Sequence, residues 1–89
     1  MYILAFTSKF KKDFKLASIR GLNINKLEEI FSYLEQSGKV PLKFKPHKLS
    51  GNYSDCWECH IENDWLLIWR FIESNTLELV RTGSHSDLF

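Results

Sequence analysis

The sequence WECHIENDWLLIWRFI at residues 57–72 predicts a β-hairpin, around which the rest of the chain can be placed. In residues 57–62, apolar and polar side chains alternate, which is the pattern of a strand with one buried face. The apolar run at residues 65–72 is typical of a central strand covered on both faces. Asn63-Asp64 favours a tight turn between the two runs. A second turn and a last strand follow at residues 74–82, so the sequence predicts a three-stranded antiparallel meander.

The residues before this hairpin predict one strand and two helices. Residues 2–7 are a short apolar run that indicates a first strand. Ser8 is suited to be the N-cap of a helix that continues to about Arg20 and ends at Gly21. The apolar residues of this helix recur at helical spacing: Phe10, Phe14 and Ala17. A second helix is predicted from the stripe of Ile24, Leu27, Ile30, Phe31 and Leu34, with Gly38 as its C-cap residue.

Residues 39–51 show no sustained period and contain Pro41, Pro46 and Gly51, which predicts a long loop. Long loops in compact domains often carry function. The predicted fold class is α+β, a single compact domain of order β-α-α-β-β-β with a mainly antiparallel sheet. The two N-terminal helices are expected on one face of the sheet, which leaves the other face free for function.

Length and composition indicate one globular domain spanning residues 1–89. Hydrophobic residues make up 44% and charged residues 26%, which is typical of a globular chain and not of a disordered one. No apolar run reaches the roughly 18 residues of a membrane span, and the first residues lack the basic region of a signal peptide. We therefore expect a cytoplasmic protein with no membrane partner, in which the two cysteines are free thiols.

The net charge of +1 conceals an uneven distribution. Residues 1–50 contain ten Lys/Arg and four Asp/Glu, a net charge of +6, whereas residues 51–89 have a net charge of −5. Such a division is compatible with a phosphate-binding face beside a carboxylate-bearing one. Solvated lysines on helix faces would produce the same numbers, and composition does not separate the two interpretations.

Residues 56–60, CWECH, have the form of a c-type haem attachment motif. Two residues three apart on a strand point to opposite faces, so the two sulfurs would diverge. Structural cysteines are therefore the preferred interpretation. A zinc site built from His47, His60 and His85 is conceivable, but no pair of them has the close spacing of a zinc motif. Neither a cofactor nor a metal is expected.

The three histidines lie in polar surroundings. His60 falls on the polar face of its strand with Glu58 and Glu62, and His47 lies in the basic loop. Residues 84–87, SHSD, fit a capping box that places His85 at the start of a short helical turn. Cleavage of RNA without a metal needs a base for the ribose 2′-OH, a cation for the phosphate and an acid for the leaving oxygen. Imidazoles and arginine are suited to these tasks.

Plainer interpretations of the same residues stay open at this point. A lone histidine is usually a surface residue with its hydrogen bonds satisfied, and Glu58 and Glu62 can simply be solvated. The three tryptophans, Trp57, Trp65 and Trp69, are expected in the core or an interface rather than stacked on bases. Arg81 is an even number of residues from Leu77 and Leu79, so a regular strand places it on the same face as these apolar residues. Either both sheet faces are partly covered, or the last strand is bulged.

Long contiguous segments nevertheless resemble a known family. They are residues 41–53, beginning Pro41-Leu42 and containing His47-Lys48-Leu49-Ser50-Gly51-Asn52-Tyr53; residues 58–68, ECHIENDWLLI; and residues 81–89, RTGSHSDLF. The chain resembles the YafQ-type toxins of the RelE/ParE superfamily, found in bacterial type II toxin–antitoxin systems. The resemblance covers nearly all 89 residues and is most specific from residue 41 onward.

The resemblance implies an antiparallel sheet carrying two N-terminal helices, and ribosome-dependent cleavage of mRNA in the A site without metal. It implies a cognate antitoxin in a hetero-oligomeric complex, mRNA and the ribosome as partners, and contact with operator DNA only through the antitoxin. The implied catalytic residues are His47, His60, Asp64, Arg81, His85 and Phe89. Among them His85 is expected to be the general acid and Arg81 the phosphate ligand. His47, His60 and Asp64 all qualify as the general base, and Phe89 is expected to order the site or to stack on a base.

RNA and ribosome docking is assigned to the basic half of the chain, through Lys9, Lys12, Lys43, Lys45 and Lys48. Two positions depart from the family pattern, which often has Asp where this chain has Pro46 and Arg where it has Trp57. The loss of that arginine removes a potential phosphate contact. Two rival functions also remain on the same fold: a ParE-like toxin that binds DNA gyrase, and an inactive relative that only binds an antitoxin.

Overall fold

The computed structural model describes residues 1–89 and has an α+β fold, as predicted from the sequence. The strands are β1 Ile3–Phe6, β2 His47–Lys48, β3 Trp57–Glu62, β4 Trp65–Phe71 and β5 Thr76–Gly83. The helices are α1 Ser8–Ile19, α2 Ile24–Ser37 and the short α3 His85–Leu88. Two 3₁₀ turns, Leu42–Phe44 and Gly51–Tyr53, lie before and after β2. No helix is long and apolar enough to cross a membrane.

The five strands form one sheet in the order β1-β5-β4-β3-β2. The pairs β2–β3, β3–β4 and β4–β5 are antiparallel, which confirms the predicted meander, and β1 pairs with β5 in parallel. The edge strands are the shortest, with four residues in β1 and two in β2. Short edges limit pairing with other chains.

Both faces of the central strand β4 are buried, as its continuous apolar pattern predicted. Trp65, Leu67 and Trp69 point toward α1 and α2 and join the main core. Leu66 and Ile68 point the other way, into a second cluster with Cys56 and Leu88. The second face is therefore free only in part, because residues 49–56 and α3 cover part of it.

Two local predictions in the N-terminal half are corrected. The N-cap of α1 is Thr7 and not Ser8, since the Thr7 hydroxyl accepts a hydrogen bond from the Phe10 N–H at 2.9 Å and donates one to the Val80 carbonyl at 2.8 Å. The predicted loop over residues 39–51 contains the strand β2, which is too short to produce a periodic pattern. It pairs His47 with Glu58 and Lys48 with Trp57.

Cys56 and Cys59 are free and buried. Cys59 lies in the main core and Cys56 in the second cluster, so the two sulfurs are on opposite faces as predicted. Burial raises the pKa of Cys59 to about 12. The Cys59 side chain is therefore an inert thiol at neutral pH.

Gly38 ends α2 in the left-handed conformation, with φ 69°. A Cβ at this position would lie 2.6 Å from the ring of Tyr2. Gly21 has a similar φ of 79°, but a Cβ there would meet nothing within 4 Å. We expect Gly21→Ala to lower the free energy of unfolding by about 1–2 kcal/mol, the penalty of the left-handed conformation alone.

Gly38→Ala should lower the free energy of unfolding by a further ~1–3 kcal/mol, because the Tyr2 ring must move. Urea denaturation of the two variants measures both values. Equal losses in the two variants would contradict the assigned contact with Tyr2.

Candidate active site

One row of residues runs across four strands on the sheet face opposite α1 and α2. His47 pairs with Glu58, Glu58 with Ile68, and Ile68 with Arg81. Directly paired residues share a face of a sheet. His60, two residues after Glu58, lies on the same face. The alternation in β3 thus assigned the face of His60 correctly, and the pairing aligns His47 and Arg81 with it.

Glu58 lies at the centre of this row and is buried, with 4% of its surface exposed. The alternative interpretation, in which Glu58 is simply solvated, does not hold. Its Oε1 lies 3.2 Å from His47 Nε2 and 4.0 Å from His60 Nε2, and its Oε2 is buried without a hydrogen-bond partner. A buried carboxylate requires hydrogen bonds or an opposite charge. Glu58 thus depends on the two imidazoles, whereas Glu62 is exposed as expected.

His47 lies between two acceptors. Its Nδ1 is 3.0 Å from the Lys45 carbonyl oxygen, and its Nε2 faces Glu58. A carbonyl oxygen can only accept, so Nδ1 carries a proton in this contact. Both ring nitrogens of His47 therefore already face oxygen atoms of the protein.

His85 is held by Asp64 at the first turn of α3. The Asp64 carboxylate accepts from the His85 backbone N–H at 2.9 Å and lies 2.7 Å from His85 Nδ1. These two hydrogen bonds lower the pKa of Asp64, so it is ionised at neutral pH. An ionised carboxylate is only an acceptor, which places the proton of His85 on Nδ1. The other ring nitrogen, Nε2, is left for a substrate.

The aromatic and imidazole rings form a continuous line along this face. The ring centroids of His47 and His60 are 6.3 Å apart, and those of His60 and His85 are 5.9 Å apart. Phe89 follows at 6.5 Å from His85 and packs edge-on against Tyr53 at 5.6 Å. The Phe89 side chain is exposed. The three histidines and Phe89, which are far apart in sequence, thus lie side by side.

The Arg81 side chain contacts α1 beyond the end of β1, which pairs only with residues 76–79 of β5. Its Nε and Nη2 donate to the two carboxylate oxygens of Asp13 at 2.7 and 3.2 Å, and the Thr82 N–H donates to the same carboxylate. The hydrogen bonds that Arg81 donates to Asp13 raise the pKa of Arg81, and Tyr53 contributes in the same direction. A register shift in the β4–β5 pairing next to Ile68 places Arg81 and Leu79 on opposite faces of the sheet, although they are two residues apart. The last strand is therefore bulged, and both faces of the sheet are partly covered, so both explanations for the position of Arg81 apply.

The five lysines assigned to docking do not form one patch. Lys9 and Lys12 lie on α1, in the layer behind the sheet, whereas Lys43, Lys45 and Lys48 lie on the segment that leads into and includes β2. All five are exposed. Lys43 is 4.0 Å from Glu29, and the other four have no ion-pair partner. The second group is contiguous in sequence with His47.

The full-length match to a family model decides the family of this chain. Residues 2–89 match the family described as "Bacterial toxin of type II toxin-antitoxin system, YafQ". The chain belongs to the YafQ toxin family. A curated relative named mRNA interferase toxin YafQ, from Escherichia coli strain K12, is 32% identical over 87 residues, which are 97% of this chain and 94% of that protein.

Solved structures agree with this membership in the YafQ family. The Escherichia coli DinJ-YafQ toxin-antitoxin complex contains a chain that superimposes with a TM-score of 0.88 at 31% identity, over 99% of this chain and 97% of that one. A metal-bound toxin from Helicobacter pylori superimposes with a TM-score of 0.89 at 37% identity over the full length of both chains. In this YafQ-family chain, no group of three His, Cys, Asp or Glu side chains is arranged to hold a metal ion.

Sequence patterns missed three parts of this YafQ-family site. No sequence pattern singles out Asp13 or Tyr53, and none determines whether Glu58 is buried or solvated. The capping box formed by Ser84 and Asp87, by contrast, was predicted and is present. Asp87 also binds Arg20 at 2.7 Å, which ties α3 to the end of α1.

Asp87 should link the stability of this YafQ-family chain to pH. Its hydrogen bonds with Arg20 and with the Ser84 N–H hold the pKa of Asp87 well below its ordinary value. A lowered pKa in the folded state means that the stabilisation is full above the ordinary carboxyl pKa of about 4. The stabilisation is lost as the pH falls through the lowered value.

We therefore expect Asp87→Asn to lower the melting temperature at pH 7, and this difference from wild type to shrink steadily between pH 4 and pH 2. Thermal unfolding across this pH range measures it. Asp55→Asn is the matched control, since Asp55 is exposed and has no ion-pair partner. A difference for Asp87→Asn that stays constant with pH would contradict the linkage.

Proposed function

We propose that this chain is the toxin of a type II toxin–antitoxin system and an endoribonuclease that cleaves mRNA in the ribosomal A site without metal. The observation that carries the proposal is the line of His47, His60 and His85 over one face of the sheet. Glu58 contacts His47, and Asp64 contacts His85. Arg81 belongs to the row of paired residues that contains His47 and Glu58. The curated relatives are named mRNA interferases, which supports the same reaction class.

The proposed reaction is attack of a ribose 2′-oxygen on the adjacent phosphorus. The 2′-OH gives its proton to a base, the new P–O2′ bond forms, and the P–O5′ bond breaks. An acid then protonates the departing 5′-oxygen, so the products are a 2′,3′-cyclic phosphate and a 5′-hydroxyl. Each proton transfer by a positioned side chain contributes about 100- to 10,000-fold to the rate.

His85 is assigned as the general acid. Asp64 holds the proton of His85 on Nδ1, so a second proton on Nε2 would be available to the leaving oxygen. An imidazolium stabilised in this way by a carboxylate resembles the base–orienter pairs of other acid–base sites. Asp64 is thereby assigned to position His85 and not to act as the base.

His60 is assigned as the general base. It lies between His47 and His85, at ring-centroid distances of 6.3 and 5.9 Å. His47 is less suited to this role, because both of its ring nitrogens already face acceptors. The assigned role of His47 and Glu58 is to position His60, because Glu58 Oε1 lies 3.2 Å from His47 Nε2 and 4.0 Å from His60 Nε2.

Arg81 is assigned as the phosphate ligand, and Phe89 as the residue that stacks on a base or orders the site. Asp13 uses two of the N–H groups of Arg81, which leaves three of its five donors for phosphate oxygens. Phe89 is exposed, adjacent to His85 and supported by Tyr53. Aromatic rings of this kind commonly stack on unpaired RNA bases.

Docking on the ribosome and on mRNA is assigned to the exposed lysines Lys9, Lys12, Lys43, Lys45 and Lys48. A cognate antitoxin is proposed to neutralise the toxin in a hetero-oligomeric complex, as the DinJ-YafQ complex of a relative supports. Operator DNA is contacted through the antitoxin only. Residues 1–89 act as one domain in the cytoplasm.

The test is primer extension on mRNA programmed on ribosomes, beside the same mRNA without ribosomes, each with and without EDTA. Defined cuts in the A-site codon that need ribosomes and survive EDTA are the expected result. Cuts abolished by EDTA would overturn metal independence, and equal cutting of free mRNA would overturn ribosome dependence. No cutting by folded protein would favour the alternatives, and a gyrase supercoiling assay then separates a ParE-like toxin from an inactive antitoxin-binding relative.

A further inference from the structure

A cavity unrelated to the histidine site lies on the helix-facing side of the sheet. It is formed between the segment that follows α2 and the paired residues Trp57 and Trp69, and its volume is about 450 Å³. Its apolar walls are Val40, Leu42, Pro46, Trp57, Trp69 and Phe71. This volume falls within the roughly 300–1,000 Å³ of typical ligand sites.

The rim of this cavity exposes large apolar side chains. Leu42 is 88% exposed, Phe71 is 43% exposed, and the neighbouring Ile72 is 41% exposed. Single exposed apolar residues are ordinary, but a group of them around an apolar cavity is typical of an interaction site. Burial of these side chains by a partner would be favourable.

Trp69 forms part of the cavity wall. The residue is 2% exposed, and its Nε1–H is enclosed by protein atoms. A ligand in the cavity therefore contacts the indole ring of Trp69 and not its N–H.

The charges around the cavity are mostly positive. Lys39 lies on its wall, and Lys48 and Arg70 lie with Asp55 around an adjoining hollow that shares Trp57 and Phe71 with it. Arg70 is already paired with Glu78 at 2.9 Å. Lys39 and Lys48 are exposed and have no ion-pair partner. An occupant with carboxylates beside an apolar group would complement this rim.

We propose that this cavity binds an acidic segment of the antitoxin, which inserts one bulky apolar side chain between Leu42 and Trp69 and places its carboxylates near Lys39 and Lys48. The inference rests on the proposed toxin–antitoxin function and adds the surface through which the antitoxin docks. Lys48 pairs with Trp57 next to the pair of His47 and Glu58. A segment bound here therefore holds the antitoxin one residue from His47, and the same lysine is no longer available to RNA.

The test is calorimetric titration of full-length cognate antitoxin into wild type and two matched variants. Leu42→Glu places a charge at the rim of the cavity, and Ile19→Glu places one at another exposed site, 73% exposed, at the end of α1. We expect binding at least tenfold weaker for Leu42→Glu and within twofold of wild type for Ile19→Glu. Equal affinities for the three proteins, or no complex with wild type, would overturn the proposal.

The indole N–H signals in a ¹H–¹⁵N NMR spectrum supply a second measurement that does not depend on the variants. The Trp69 signal should shift when antitoxin binds, because a side chain packs against its ring in the cavity, while the Trp65 signal keeps its position, since Trp65 does not line the cavity. A bound complex with an unchanged Trp69 signal would overturn the proposed occupant. A dimer of this chain that Leu42→Glu dissociates would also overturn it, because a second copy of the chain would then cover the cavity.

Cleavage by the free Leu42→Glu variant, measured separately on programmed ribosomes, distinguishes failure of docking from failure of the proposed ribonuclease. Wild-type cleavage by free Leu42→Glu, with inhibition by antitoxin weakened, is the result expected from the proposal. Absence of cleavage by wild type would contradict the ribonuclease and leave the binding measurements to decide the docking surface.

Discussion

His85→Ala is expected to reduce cleavage of ribosome-bound mRNA by about 100- to 10,000-fold, the range in which a positioned general acid contributes. The expectation follows from the contacts of His85 at the start of α3. Its Nδ1 is fixed by Asp64 at 2.7 Å, its ring is 5.9 Å from His60, and Phe89 is beside it. Single-turnover kinetics on programmed ribosomes measure the change in the cleavage step itself.

Ser86→Ala is the matched control for this loss, because Ser86 is the next residue of α3 and its side chain hydrogen-bonds to the Ser84 hydroxyl and not to His85 or Asp64. It should cleave at a rate close to wild type. Asp64→Asn should fall between the two, since the carboxamide keeps the shape of Asp64 but loses the charge that stabilises an imidazolium. A rate for His85→Ala within fivefold of wild type would exclude His85 as the acid.

The hairpin could be predicted from the sequence because its pattern is local. Alternation in β3 assigned His60 to one sheet face, and the continuous apolar run of β4 showed that both of its faces are covered. Gly38 and the capping box at Ser84 are likewise signals of a few residues each. These features depend on nearest neighbours along the chain, so they can be predicted without knowledge of the tertiary structure.

The parts of the site that depend on distant contacts could not be predicted in the same way. Alternation gives the face on which Glu58 lies, but its burial depends on β2 and on what covers that face, which come from other segments. The strand β2 has two residues, too few for any period. The ion pair of Arg81 with Asp13 joins residues 68 apart in sequence. Resemblance to a family supplied Arg81 as a candidate, but not its partner.

Arg81→Ala is expected to reduce cleavage by about 100- to 1,000-fold, the loss typical when one preorganised donor to a developing charge is removed. The guanidinium is oriented before substrate arrives, because Asp13 accepts two of its N–H groups and Arg81 is mostly buried. Arg81→Lys should recover only part of the rate, since an ammonium keeps the charge but lacks the planar fork.

Asp13→Asn separates the orientation of Arg81 from its charge. It keeps Arg81 but weakens the hydrogen bonds that hold it, so we expect a smaller loss of rate than for Arg81→Ala. It should also lower the free energy of unfolding by about 1–3 kcal/mol, because a partly buried charged hydrogen bond is broken. Single-turnover rates and urea denaturation measure the two effects. A rate for Asp13→Asn as low as that of Arg81→Ala would mean that orientation accounts for the whole contribution. A wild-type rate for Arg81→Ala would assign the phosphate charge to the lysines near His47 instead.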